Sequence, residues 1–137
     1  MMLSIMVSAF TALNALNDTK LDVQSAFGVY KIRRELRDHV NYFLVEEMKL
    51  ATKYAAKRED GAPDIRDGRV FFAGETDEEK RRNAEEYARD RKALCEVDAG
   101  EIGEKVTIRV PADMRLAPVF FELLDPFAVV EIDGAAV

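Results

Sequence analysis

From Asp22 to about Lys57 the chain contains no proline, and its apolar residues return at helical intervals. Val29, Ile32, Leu36, Val40, Phe43, Leu50 and Tyr54 recur at spacings of three, four or seven, which is one face of an α-helix. Arg33, Arg34, Arg37, Asp38, Glu46 and Lys49 lie largely off that stripe. Asp22 is a suitable N-cap, and Gly28 marks a weak or closely packed first turn, since glycine costs about 1 kcal/mol relative to alanine in a helix. At 1.5 Å per residue, residues 23–56 span roughly 51 Å. A helix of that length in a chain of 137 residues fixes much of the architecture around it.

The second helix is announced by its cap. Thr76 and Glu79 form a capping box, and Asp77, Glu78 and Glu79 place acids in the first turn, where the helix dipole favours them. The helix continues to about Val97, with Ala84, Tyr87, Ala88, Arg91, Leu94 and Cys95 on one side. Glu85–Arg89 and Asp77–Arg81 have the favourable acid-before-base order at i,i+4. The spacing therefore predicts an antiparallel helical hairpin over residues 22–97, joined across residues 57–76. The shorter arm, about 31 Å long, reaches back along the longer one to about Leu36. The N-terminal part of the long helix needs another cover.

Two flanking segments can provide it. Residues 2–7 are short and apolar and read as a strand, followed by a short helix that Ser8 caps and that runs to about Asn17. Near the other end, residues 105–110 alternate with β-branched residues and stop at Pro111. Pro118 opens a short helix, and residues 127–132 form another strand. The three strands are expected to make one small sheet. The fold class that follows is α+β: a single domain, 1–137, built as a long antiparallel helical hairpin with a short N-terminal helix and a small β-sheet at one end. Its N-terminal strand and helix, 2–17, pack with the strand–helix–strand of 105–132.

Composition limits the function. Neither a basic, long-cored secretory signal nor a stretch of roughly 20 apolar residues is present, so a soluble chain is expected. The single cysteine excludes an internal disulfide and points to a reducing compartment. Residues 96–137 hold nine acids against three bases, which equals the whole chain's net charge of −6. Residues 20–37 are locally basic. Overall acidity argues against nucleic acid as a partner, because phosphate contacts supply most non-specific affinity.

No residue pattern demands catalysis. The acidic joint invites a calcium loop, but with Gly68 at position six the ligand positions one, three and twelve fall on Pro63, Ile65 and Gly74. Asp67-Gly68 fits a hairpin turn instead. His39 lacks a nucleophile motif nearby, and Cys95 continues the apolar seam. Glu46-Glu47 and Glu85-Glu86 are adjacent on a helix and diverge by about 100°. No glycine-rich phosphate loop occurs. Neither cofactor, metal nor small-molecule substrate is expected. Two groups remain as candidate partner-binding residues: Arg33, Arg34 and Arg37 on the long helix, and Val70, Phe71 and Phe72 in the joint, which are apolar for an exposed loop.

Four segments resemble a family of short phage and prophage proteins that contain a coiled-coil helical hairpin. They are the apolar start before "TALNALND", the helix "YKIRRELRDHVNYFLVEEMKLATKYA", the joint with "RDGRVFF", and the tail "VTIRVPADMRLAPVFFELLDPF". The resemblance implies viral or prophage origin and action inside the host cell or in the virion. It names no reaction. The expectation is a non-enzymatic accessory protein that binds another protein, of host or phage, and blocks a host machine such as a defence nuclease. The alternative is a virion structural or assembly component, for which self-association is expected.

Overall fold

The computed structural model describes residues 1–133, and they are α+β. The elements, in chain order, are α1 (Leu3–Ala12), a 3₁₀ turn (Leu13–Leu16), α2 (Val23–Tyr54), β1 (Ile65–Arg66), β2 (Arg69–Val70), α3 (Asp77–Cys95), β3 (Val106–Val110), α4 (Pro118–Leu124) and β4 (Ala128–Ile132). Contacts divide the chain into two compact units. One holds residues 1–40 with the chain from Asp98 onward, and the other holds Asn41–Val97.

The first unit corrects the expected N-terminal strand. Residues 3–12 are helical, and Ser8, the expected N-cap, lies in mid-helix. The reason lies in which residues are buried: Leu3, Met6, Ala9, Leu13 and Leu16 follow one another at steps of three or four. A short apolar run carries both helix and strand periods, and the continuation into Leu13 and Leu16 decides for helix. Consequently the sheet has two strands, not three. β3 and β4 pair in parallel, Val106 opposite Ala128 through Val110 opposite Ile132. Parallel strands need a crossover of a dozen or more residues, and residues 111–127, with α4 inside them, supply it. Pro118 opens α4, where its missing N–H costs nothing.

These elements pack against the N-terminal half of α2. Ile32, Leu36 and Val40 join Met6, Leu13, Ile108, Leu124 and Phe127 in one buried cluster. Leu36 is fully buried, and burying such a side chain contributes roughly 1.5–3 kcal/mol. The start of α2 is pinned by a short polar chain. Asp22 Oδ1 accepts from the Ser25 N–H at 2.7 Å, and the Ser25 hydroxyl donates to Asp22 Oδ2 at 3.0 Å. The same hydroxyl oxygen accepts from the Arg109 N–H at 2.8 Å, which ties β3 to α2. Gly28 permits that approach: a Cβ there would lie 3.3 Å from the Thr107 carbonyl oxygen. At the amino terminus, the Met1 ammonium donates to Asp98 at 2.9 Å and to the Gly100 carbonyl at 3.2 Å.

The second unit contains the antiparallel hairpin. α2 ends at Tyr54, three residues short of the expected Lys57, because the chain turns into backbone pairing with the joint. Ala56 N–H donates to Phe71 O at 2.8 Å, and Ala73 N–H donates to Tyr54 O at 3.0 Å. Asp67 (φ 51°) and Gly68 (φ 73°) make the two-residue turn between β1 and β2, the positive-φ pair that such hairpins require. Thr76 then caps α3, accepting from the Glu79 N–H at 3.1 Å. Glu79 reaches back to the Glu75 N–H at 2.8 Å, one residue before the position a capping box would give. The arms meet through the Tyr54 hydroxyl, which donates to Asp90 at 2.6 Å, and through Arg91 and Glu47 at 2.8 Å. Phe43, Ala51, Tyr54, Ala55 and Leu94 are buried in this unit. On α3 the expected pairs Glu85–Arg89 and Asp77–Arg81 do not form. Arg82–Glu78 at 3.9 Å and Arg81–Glu85 at 4.0 Å occur instead, both long and exposed and so worth little.

Candidate partner-binding surfaces

The three arginines of the basic cluster separate. Arg33 is half-buried. Its guanidinium donates to the Leu13 carbonyl at 3.2 Å and to the Asn17 side-chain oxygen, so it clamps the 3₁₀ turn against α2. Its Nε is buried with no partner among the described residues. Arg34 and Arg37 are exposed and enter none of the ion pairs among the described residues. Spacing alone places all three on a solvated face. What separates Arg33 is the Leu13 carbonyl, where α1 passes into the 3₁₀ turn, which lies within reach of its guanidinium.

The aromatic joint separates as well. Phe72 turns inward and lies 5.5 Å, centroid to centroid, from Tyr87 of α3, and Val70 is half-buried. Burial pushes the Tyr87 hydroxyl above its ordinary pKa. Phe71 faces outward at 37% exposure, with the guanidinium carbons of Arg66 and Arg69 at 4.4 Å and 5.9 Å from its ring centroid. Arg66 is itself held by Asp64 through two bonds of 3.0 Å, a pairing that lowers the Asp64 pKa. The joint is therefore an anchor with one ring left outside. Beside it, Glu47, Arg69, Val70, Phe72, Tyr87 and Arg91 line a shallow cleft of about 450 Å³. Of its charged residues, Arg91 is already committed to Glu47.

The acids of the joint serve the loop's own geometry. Asp60 accepts from the Ala62 N–H at 3.0 Å, and Asp64 holds Arg66. Among the described residues, no group of three or more His, Cys, Asp or Glu is placed to hold a metal ion. His39 and Cys95 are both half-buried, and Arg91 Nη1 lies 3.9 Å from Cys95 Sγ. Glu46 pairs with Lys49 at 3.0 Å while Glu47 pairs with Arg91, so the two neighbouring carboxylates point to different partners.

Sequence reasoning missed a second face of α2. In the first unit, Val23, Phe27 and Tyr30 are 86%, 57% and 48% exposed. Phe27 and Tyr30 stack at 5.9 Å, and the Lys31 ammonium sits 5.8 Å from the Phe27 centroid. In the second unit, Leu44, Val45 and Met48 are each more than half exposed. Large apolar side chains at solvent are informative when they are contiguous rather than scattered. The signal was present: Phe27, Tyr30, Arg34, Arg37, Asn41, Leu44 and Met48 follow alternating steps of three and four. The more apolar stripe on the opposite side obscured it.

Comparison with protein-family models, curated proteins and solved structures found no match to this chain. No helix among the described residues is long and apolar enough to cross a membrane.

Proposed function

We propose that this chain is a non-enzymatic accessory protein of phage or prophage origin that works by binding another protein. The observation that carries the reading is that large apolar side chains of α2 stand exposed to solvent, Leu44, Val45 and Met48 in the second unit and, separately, Phe27 and Tyr30 in the first. Such side chains are the material of interface centres, and an extended apolar helix face is a common way to meet a partner. Arg34 and Arg37, exposed on the same helix, add charge that orients a partner. Phe71 is a second, smaller contact point. The phage origin rests on the resemblance of the helix, joint and tail segments, and the target that fits it is a host machine such as a defence nuclease. The site of action is then the host cytoplasm or the virion.

Affinity capture from host lysate tests the reading, with the full chain as bait and Val45→Glu as the control bait. A stoichiometric host protein held by the first and released by the second is expected. Equal capture by both baits, or none by either, argues against it. A virion or assembly component is the second reading, favoured because the same exposed face suits a subunit that meets copies of itself. Mass spectrometry of purified particles separates the two: presence in the particle supports the second.

A further inference from the structure

We infer that β4 is a docking edge for an extended segment of another protein, rich in lysine or arginine, which joins the β3–β4 sheet as a third strand. The edge lies wholly within the first unit and owes nothing to the exposed apolar residues of α2. A two-stranded sheet has two outer edges, and here only one of them is closed. On β3 the outward Arg109 N–H meets the Ser25 hydroxyl oxygen at 2.8 Å. The Thr107 carbonyl, also outward, lies so close to Gly28 that a Cβ there would stand 3.3 Å from its oxygen. α2 therefore covers that side. On β4 the register turns the N–H and C=O groups of Val129 and Glu131 toward β3, and those of Ala128, Val130 and Ile132 away from it. The flanking bonds, Val106 N–H to Phe127 O at 3.1 Å and Asp133 N–H to Val110 O at 2.8 Å, fix that phase. Among the described residues, none of the outward groups of β4 takes part in a backbone hydrogen bond.

Native sheets guard an open edge with lysine, proline or a bulge. Ala128-Val129-Val130-Glu131-Ile132 has none of these, and Val129, Val130 and Ile132 are β-branched. Its single charge, Glu131, is already turned to Arg109 at 3.3 Å. In strand addition the main-chain bonds supply affinity and the side chains select the partner. Here charge selects it. Asp125 precedes the strand and Asp133 follows it; both are exposed and enter no ion pair among the described residues. Asp125 lines a hollow of about 210 Å³ at the start of β4 with Lys105, Phe121, Ala128, Val129 and Val130. Lys105 offsets one of the two aspartates, so the edge stays acidic. A second copy would bring the same acids to it, and like charges suppress a pairing. Basic side chains spaced along an incoming strand meet an acid at each end. A parallel and an antiparallel strand bond to the same three residues of β4, so the occupant is set by its charge and not by its direction.

NMR titration of the full chain with a synthetic peptide that alternates lysine and valine, up to around 1 mM, tests the inference, beside a peptide that alternates glutamate and valine. Saturable binding of the lysine peptide is expected. Hydrogen exchange at the Val130 and Ile132 amides should slow roughly 10-fold once the peptide exceeds its Kd tenfold. The Val129 and Glu131 amides, already turned to β3, should not change. Asp125→Lys combined with Asp133→Lys is expected to weaken the lysine peptide roughly 10-fold and to strengthen the glutamate peptide, with the thermal melt unmoved because both residues are exposed. No saturation by the lysine peptide overturns the inference, and so does binding that leaves the Val130 and Ile132 amides unprotected. Equal binding of the two peptides overturns the basic partner. Val130 and Ile132 amides already protected in the free chain, with a dimer in sedimentation velocity, make a second copy the occupant instead. Host-protein capture through Val45 is read in a separate assay, so that reading stands or falls whatever the peptide does.

Discussion

Ser25→Ala is the substitution whose cost the structure defines most closely. Ser25 is 1% exposed and sits between two elements far apart in sequence. In β3, the amides of Val106, Ile108 and Val110 face β4, because the parallel register alternates. The Arg109 N–H faces the other way and finds the Ser25 hydroxyl oxygen at 2.8 Å. Removing that oxygen leaves a donor without a partner, at a cost of about 1–3 kcal/mol. Alanine returns part of this, about 0.5 kcal/mol, through better helix propensity. The net loss is then about 0.5–2.5 kcal/mol, or a fall in melting temperature of roughly 2–10 °C for a chain of this size. Calorimetry measures the fall, and amide hydrogen exchange supplies the local readout: the Arg109 amide should exchange faster while the Ile108 amide does not. A melting temperature within 1 °C of wild type, with unchanged Arg109 protection, would refute the reasoning.

Three further outcomes follow from the same geometry. Gly74→Ala should cost about 1–3 kcal/mol, because φ is 144° and the new Cβ would lie 2.8 Å from the Lys80 nitrogen; Gly61→Ala, at φ 82° in open space, should cost only about 1 kcal/mol, and paired urea titrations compare them. Phe72→Ala should lower stability by about 1–3 kcal/mol through its lost contact with Tyr87, whereas Phe71→Ala should change it by less than about 0.5 kcal/mol; equal effects in thermal melts would contradict the inward and outward assignment. Asp22 has its pKa held below the ordinary carboxylate value, chiefly by the Ser25 N–H. A lowered folded-state pKa contributes stability that is present above the unfolded value of 3.8 and is lost as pH falls through the folded one. Acid titration of stability should therefore be shallower in Asp22→Asn, which keeps a capping oxygen but not the charge.

The long helix, its capping aspartate, the Asp67-Gly68 turn and the Thr76 cap were legible because each is a local pattern with a local cause. The short N-terminal helix was expected from residue 8 onward, but its first turns were not, since Met2 to Val7 carries both periods and only the continuation into Leu13 and Leu16 decides for helix. The parallel pairing of β3 with β4 was hidden for a different reason. Alternation reveals that a strand exists, and nothing in it reveals which neighbour the strand takes. Among the candidate contact residues, the sequence grouped Arg33 with Arg34 and Arg37, and Phe72 with Phe71. Only the positions of the Leu13 carbonyl and of Tyr87 divide each group. The exposed apolar residues of α2 went unnoticed because charged residues stand between them in the sequence.

The division of the chain into residues 41–97 and a unit that needs both 1–40 and the stretch after Asp98 has a consequence for synthesis. A ribosome delivers the hairpin whole, and its pairings close over short loops. The first forty residues emerge earlier and must wait for β3, α4 and β4. At 5–20 residues per second that delay is roughly 4–18 s. Throughout it, Leu3, Met6, Leu13 and Leu16 have no completed core to enter, so nascent-chain chaperones should be found on the amino-terminal segment and not on the hairpin.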